Sequence, residues 1–298
     1  MHRMRFGLTT PVVTRHPDHA ADWEEGAGPA EIARIAVAAD RLGYHHLTCS
    51  EHVAIPESVV PVRGARYYDP LATFGFLAGQ TTRIRFAAHV LVLPYHHPVA
   101  IAKRWGTLDR LSGGRVILGV GVGTLAEEFA LLGVAFADRG PRYEDALGAL
   151  RAAFGRRAPE YAGTHWRFGG ILVDPCGVQE RVPIWLGGRS PRSLRRALVF
   201  GDGWDPFRLT LAELTQLLPR ARGWRQWRER TAPLELVLTP DGLLDPTVPA
   251  ERARLADLLD RYRALGATVM NLRFRHRSLE HYLEQLAVFA AEVAPRFA

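Results

Sequence analysis

Short apolar runs alternate with longer amphipathic stretches along most of this chain. Residues 84–93 are almost continuously apolar, whereas residues 98–111 carry their large apolar side chains on one side. A short continuous run is typical of a parallel strand buried on both faces, and spacings of three and four are typical of a helix. Eight runs are predicted to be strands, at residues 4–9, 45–50, 84–93, 116–122, 182–186, 203–206, 234–238 and 269–272.

The stretches between these runs are predicted to be helices, at residues 29–42, 69–80, 98–111, 126–132, 139–154, 191–200, 211–230, 249–265 and 279–293. Strict alternation favours a parallel sheet, and eight units fit a closed barrel better than an open one. Residues 155–180 are irregular and rich in glycine and aromatic residues. The prediction is therefore a (β/α)8 TIM barrel with an insertion before the fifth strand, forming a single domain over residues 1–298. Because the unit around Trp204 is very short, an open doubly wound sheet is the alternative.

Composition excludes several classes of protein. Of 298 residues, 47% are hydrophobic and 23% charged, as in an ordinary globular domain. No apolar run reaches the roughly 18 residues of a membrane-spanning helix, and the first residues show no signal-peptide pattern. Two cysteines, Cys49 and Cys176, make neither a disulfide framework nor a zinc site. We expect a cytoplasmic protein without a membrane partner.

The net charge of +7 favours an anionic partner, and Lys103 is the only lysine among 38 basic residues. The arginines are scattered along the chain, without a basic run or an aromatic–basic RNA motif. The sequence therefore predicts an acidic small-molecule substrate or cofactor and no nucleic acid. A homodimer is an alternative to a monomer that the sequence does not decide.

In a (β/α)8 barrel the active site lies at the C-terminal ends of the strands. Glu51 and His52 follow the second strand, and an imidazole there can move protons near neutral pH. A structural or solvated imidazole is the alternative for His52. His89 lies in an apolar run and is expected to be buried with one hydrogen bond. Metal binding by these histidines is not expected, because no carboxylate stands at a familiar ligand spacing.

Two glycine-rich turns also fall at strand ends. Gly121, Gly123 and Thr124 lie at the end of the fourth strand, and Thr124 breaks the dinucleotide fingerprint, which disfavours an open-sheet nicotinamide dehydrogenase. The two glycines either admit a flat ring or relieve crowding. After the fifth strand come Gly187, Gly188, Arg189 and Ser190, where a helix begins. That turn predicts either an anion site at the helix N-terminus or an ordinary N-cap.

Taken together and in order, these segments resemble the luciferase-like monooxygenase superfamily, in particular its compact coenzyme F420-dependent oxidoreductases. The likeness covers about residues 4–206 well and the last third poorly. The matching stretches are residues 38–44, 50–52, 68–71, 82–85, 108–115, 119–123, 127–129, 140–142, 183–188 and 202–204.

The resemblance implies a non-prolyl cis peptide at His89–Val90 against the cofactor ring, and a cofactor phosphate at residues 187–190. It also implies that His52 lies beside the reactive edge of a deazaflavin. We expect His52 to be a proton donor or polarising group, with Glu51 orienting His52 or the ring. Thr124 stands where some relatives carry an acidic catalytic residue, which disfavours sugar-phosphate dehydrogenase chemistry. Residues 161–178 match an insertion that shapes the substrate mouth.

The function that follows is F420-dependent hydride transfer to or from an organic substrate. An FMN-dependent monooxygenase and a flavin-binding protein without turnover are the two alternatives.

Overall fold

Eight parallel strands close into a barrel in the computed structural model, which describes residues 3–298. Each strand pairs with the next along the chain, and the last pairs with the first, where Arg5 lies opposite Val269. The predicted TIM barrel is confirmed, and each of the eight predicted runs contains a barrel strand. The strands are β1 (Arg5–Leu8), β2 (His46–Cys49), β3 (Arg85–Ala88), β4 (Val116–Gly121), β5 (Ile184–Gly187), β6 (Gly203–Asp205), β7 (Glu235–Leu238) and β8 (Val269–Leu272).

One main helix follows each strand and returns the chain to the start of the next. These helices are α1 (Pro29–Arg41), α2 (Pro70–Ala78), α3 (Pro98–Ser112), α4 (Arg139–Ala153), α5 (Pro191–Phe200), α6 (Leu211–Arg222), α7 (Pro249–Ala264) and α8 (Leu279–Val288). Shorter helical segments lie in the loops, at Val60–Arg63, Ala126–Leu131 and Arg225–Arg228. Within residues 3–298, no helix has the length and apolar character to cross a membrane.

Two predicted helices are shorter than expected. The predicted helix over residues 211–230 is wrong beyond Arg222, because the chain turns at Gly223 and Trp224 takes an extended conformation before a separate helical turn. The predicted helix over residues 279–293 is α-helical only to Val288 and continues as a π-helix over Phe289–Val293.

The third apolar run is divided. The prediction of one strand over residues 84–93 is wrong: β3 ends at Ala88, and a two-residue strand, Leu91–Val92, pairs with β4 beyond it. Between them the His89–Val90 peptide bond is cis, as predicted. The run is divided because its two parts pair with different parts of β4. Strand β3 pairs with Val116 and Ile117, whereas Leu91 pairs with Val120.

The insertion before β5 is confirmed as an antiparallel hairpin, Tyr161–Ala162 with Arg167–Phe168. Asp145 of α4 holds it, accepting hydrogen bonds from the Tyr161 hydroxyl and from the amides of His165 and Trp166. The hairpin is therefore fixed to the outer face of the barrel by one carboxylate.

Large polar and aromatic rings fill part of the barrel interior where glycines leave room for them. A Cβ atom on Gly7 would lie 2.0 Å from the His46 ring, and one on Gly203 would lie 2.5 Å from the Trp185 ring. His46 is completely buried. The interior is thus a packed core with polar groups in it.

Candidate active site

Glu51 and His52 are neighbours in sequence but have different partners. Glu51 is buried, and its carboxylate accepts the amide of Val92 at 2.6 Å and lies 2.7 Å from Nε2 of His96. These bonds hold the segment that follows the cis peptide. Glu51 therefore contacts His96. The expectation that Glu51 orients His52 is wrong, because His52 bonds to a different carboxylate.

His52 is held by Glu128 instead. Nδ1 of His52 lies 2.9 Å from Oε2 of Glu128, which is 1% exposed and also accepts the amide of Val53 at 2.6 Å and the Tyr95 hydroxyl at 2.9 Å. Burial raises the pKa of Glu128, but the bonds from His52, Val53 and Tyr95 outweigh it, so the pKa lies below its ordinary value. An ionised Glu128 accepts from Nδ1, which leaves Nε2 of His52 for a ligand.

Glu128 was missed as a functional residue by the sequence analysis. It lies in the short helix Ala126–Leu131. The one signal for it in the sequence was that residues 127–129 belong to a stretch that resembles the luciferase-like family. Tyr95 completes the group: burial, followed by its bond to Glu128, raises the pKa of Tyr95, so its hydroxyl stays a donor.

His89 contacts the neighbouring strand ends through both its backbone and its ring. The Ser50 hydroxyl donates to the His89 carbonyl at 2.7 Å, and Nε2 of the ring lies 3.2 Å from the Asp205 carboxylate. The His89 side chain is 16% exposed, so it is partly rather than fully buried, and its expected single hydrogen bond goes to Asp205. The next residue, Val90, packs beside two of the predicted site glycines.

Packing requires Gly121 and Gly123 and favours Gly187. A Cβ atom on Gly121 would lie 2.5 Å from Cγ2 of Val90, and one on Gly187 would lie 3.0 Å from its Cγ1. Gly123 has a φ of 79°, and a Cβ there would lie 2.5 Å from the Phe129 ring. Crowding therefore explains them without a ligand. Beside them, Thr124 accepts a hydrogen bond from Arg63 at 3.2 Å.

The turn between β5 and α5 is an N-cap. Ser190 accepts the amide of Ser193 at 3.2 Å, and the Ser193 hydroxyl donates to the Ser190 carbonyl at 2.7 Å. Gly188 has a φ of 115°, where a side chain would be strained. The guanidinium of Arg189 lies 5.7 Å from the centre of the Phe207 ring. The capping alternative is therefore confirmed, and it leaves the anion-site prediction open, because a capped N-terminus still carries positive dipole charge.

Three arginines from different loops gather at the mouth of the barrel. Arg63, Arg208 and Arg273 follow β2, β6 and β8. Their combined field reaches His16: burial lowers its pKa most, Asp18 opposes this, and the three arginines lower it further. Burial, followed by the charge of Arg273, lowers the pKa of His19 to about 3.

Unsatisfied polar atoms accompany this charge. Nε of Arg273 and Oγ1 of Thr9 are buried without a hydrogen-bond partner among residues 3–298. Asp18 forms a salt bridge with Arg208 at 2.9 Å, and the charges of Asp18 and Asp205 both act on Arg273. A buried polar group normally has a partner. The mouth therefore suits an anionic ligand that accepts hydrogen bonds.

Comparison with known proteins agrees with this architecture. The family described as luciferase-like monooxygenase matches residues 4–296. An uncharacterized protein of Mycobacterium tuberculosis is 30% identical over 274 residues, which cover 85% of this chain and 93% of that protein.

Two solved structures share the fold at low sequence identity. An F420-dependent secondary alcohol dehydrogenase in complex with an F420–acetone adduct has a TM-score of 0.73 and 14% identity, covering 99% of each chain. The oxygenating constituent of 3,6-diketocamphane monooxygenase from Pseudomonas putida, in complex with FMN, has a TM-score of 0.71 and 18% identity, also covering 99% of each chain.

Proposed function

The chain belongs to the luciferase-like monooxygenase family, and from that premise we propose that it is an F420-dependent oxidoreductase acting on a small organic substrate. The observation that carries the choice of F420 is the group of Arg63, Arg208 and Arg273 at the mouth, in which Asp18 forms a salt bridge with Arg208. F420 and FMN both carry a phosphate, but F420 extends beyond it in an acidic tail. Guanidinium groups bind carboxylates and phosphates in a fixed geometry.

The residues present fit such a cofactor. The buried, unpartnered Nε of Arg273 and Oγ1 of Thr9 offer hydrogen bonds to an anion. Gly187, Gly188, Arg189 and Ser190 stand at the N-terminus of α5 and would hold the phosphate, with Gly121, Gly123, Thr124 and the His89–Val90 segment beside the ring. When bound, a deazaflavin supplies two-electron hydride transfer.

His52 is the residue that we assign to proton movement. Glu128 fixes its Nδ1, so Nε2 faces away from the carboxylate and can exchange a proton with a ligand. Glu51 acts indirectly in this proposal, because it holds His96 and the Val92 amide.

Titration of purified protein with F420 and with FMN, at low and high ionic strength, tests the proposal. We expect F420 to bind more tightly at low salt and the preference to shrink as salt rises, because exposed charges are screened. Arg63→Gln should weaken F420 binding several-fold at low salt. Arg254→Gln, on the exposed side of α7, lowers the net charge equally and should leave binding unchanged.

Tighter FMN binding at both salt concentrations would replace this proposal with an FMN-dependent monooxygenase, the alternative favoured by the FMN-bound structural neighbour. Binding without substrate-dependent oxidation or reduction of the cofactor across a panel of organic compounds would favour a flavin-binding protein without turnover.

A further inference from the structure

A chain of hydrogen-bonded side chains runs through the barrel interior from the mouth to the opposite end. Nε2 of His89 lies 3.2 Å from Asp205, and Nδ2 of Asn271 lies 3.2 Å from the same carboxylate. Oδ1 of Asn271 lies 2.7 Å from Nε2 of His46, whose Nδ1 lies 2.9 Å from Nδ1 of His45. The chain ends where Nη1 of Arg5 lies 3.3 Å from Nε2 of His45.

The two ends of this chain decide the direction of every bond in it. Arginine can only donate, so Nε2 of His45 accepts and its Nδ1 carries the hydrogen. His46 then accepts at Nδ1 and donates from Nε2 to the carbonyl oxygen of Asn271. At the other end the carboxylate oxygens of Asp205 are the acceptors. Asp205 therefore takes hydrogen bonds from the Asn271 amide and from Nε2 of His89.

The middle of the chain is kept neutral by its surroundings. His46 and Asn271 are completely buried, and Gly7 leaves the space that the His46 ring occupies. Burial lowers the pKa of His46 to about 3 and that of His45 to about 2. Each ring thus holds one hydrogen, and reversing either ring would leave two donors or two acceptors facing each other.

We propose that the ring of His89 is a fixed hydrogen-bond acceptor, at Nδ1, for the imide N–H of the bound cofactor ring, with Asp205, Asn271 and His46 as positioning residues behind it. This inference rests on the proposed function. The contacts of the His89 ring within residues 3–298 engage Nε2, so its hydrogen is committed to Asp205. A neutral imidazole with its hydrogen at Nε2 presents a lone pair at Nδ1.

The location of His89 supports a contact with the ring system. It stands between β3 and the Leu91–Val92 strand, beside Val90, which packs over Gly121 and Gly187 at the ends of β4 and β5. Its side chain is partly exposed, whereas Asp205 is 2% exposed. At the mouth end of the chain, His89 is therefore the member that can meet a ligand. Both flavin and deazaflavin rings carry an imide N–H between two carbonyl groups, which is a donor suited to such an acceptor.

Nitrogen NMR of protein labelled with ¹⁵N-histidine tests the chain without any cofactor. We expect the hydrogen at Nε2 for His46 and His89 and at Nδ1 for His45. Addition of F420 should move the Nδ1 signal of His89, and addition of inorganic phosphate should not. Each histidine signal is assigned by its loss from the spectrum of the corresponding variant, His46→Gln, His45→Gln or His89→Gln.

Affinity measurements complete the test. Asp205→Asn and His89→Leu should each weaken F420 binding by about three- to tenfold, the range of one hydrogen bond. The double variant should be no weaker than the worse single variant, because both remove the same bond. Asp245→Asn is the matched control, since it breaks another buried pair, with His281 at 3.0 Å, and should leave F420 affinity unchanged.

The outcomes are distinguishable. Hydrogen at Nδ1 of His89 in the wild-type protein would overturn the inference even if the variants do not fold. F420 binding by fluorescence with an unmoved His89 signal would also overturn it and would leave the proposed function intact. Absence of F420 binding would overturn the proposed function, and the inference with it.

Discussion

Side chains that are adjacent in sequence serve different parts of the site. Glu51 binds His96 and the backbone beyond the cis peptide, whereas His52 is bound by Glu128, which lies 76 positions away in sequence. A carboxylate that fixes one nitrogen of an imidazole leaves the other with a defined role. The pair of His52 and Glu128 is therefore the arrangement at the mouth best suited to moving a proton.

Replacement of His52 tests that role. His52→Ala should lower kcat by about 10²–10⁴-fold, the usual contribution of general acid–base catalysis, and leave the Kd for cofactor almost unchanged. Glu128→Gln should lower kcat less, because the imidazole remains but loses its fixed hydrogen. Steady-state kinetics and cofactor titration are the measurements. Turnover by His52→Ala within twofold of wild type would show that the imidazole has only a structural role.

Helix starts and glycines show how elements position the site. Ser190 caps α5 and Thr210 caps α6 with the same pattern of side-chain and backbone bonds. Only the first of these caps lies beside residues predicted to hold a phosphate. Comparing variants of the two caps therefore distinguishes a loss of folding stability from a loss of cofactor binding.

Ser190→Ala and Thr210→Ala should each lower the free energy of unfolding by about 1 kcal/mol, the usual cost of losing an N-cap. Only Ser190→Ala should also weaken cofactor binding, because the hydroxyl at that helix start is proposed to face the phosphate. Urea unfolding and calorimetric titration measure the two effects. Equal cofactor affinity in both variants would show that the turn after β5 is a cap without a ligand.

The glycine in β1 is predicted to be essential for packing of the interior. Gly7→Ala would place a methyl group 2.0 Å from the His46 ring and should destabilise the protein by about 1–3 kcal/mol or more. Gly75→Ala, in α2, meets no atom within 4 Å and should stabilise the protein by about 0.8–1.0 kcal/mol. Urea denaturation of both variants checks this. A neutral effect of Gly7→Ala would mean that the His46 ring is free to move aside.

At the scale of the whole molecule, buried neutral histidines make stability sensitive to acid. Burial, the largest cause in each case, lowers the pKa of His45 to about 2, of His19 and His46 to about 3 and of His276 to about 4. In the unfolded chain these groups take up a proton near pH 6.5. Their contribution to stability is therefore complete above pH 6.5 and is lost as the pH falls towards the folded values.

The free energy of unfolding should accordingly decrease from pH 6.5 downwards, before most carboxylates titrate. The completely buried His46 alone should contribute a slope of roughly 1.4 kcal/mol per pH unit. Urea unfolding at pH 7.5, 6 and 5 gives the slope. His276→Gln should reduce this slope by roughly 1.4 kcal/mol per pH unit, which is the contribution of one proton. Constant stability over this range would show that these histidines are protonated in the folded protein.

The order of elements and the position of the mouth were determined by the sequence itself. Local periodicity and helix-ending residues require only near neighbours, so eight strands, the insertion and the strand-end location of Glu51, His52 and the glycine turns could all be predicted. Errors in the predicted elements were confined to their ends and to the third run, where pairing of Leu91 with Val120 continues the sheet beyond β3.

Only the tertiary structure decided which polar groups meet. Glu128 reaches His52, Asp205 reaches His89, and Asn271 reaches His46 across sequence separations of 76, 116 and 225 residues. No periodic pattern encodes such pairs, because closure of the barrel brings together side chains from strands that are far apart in the chain. The identity of the partners, and hence the direction of each hydrogen bond, follows from that closure.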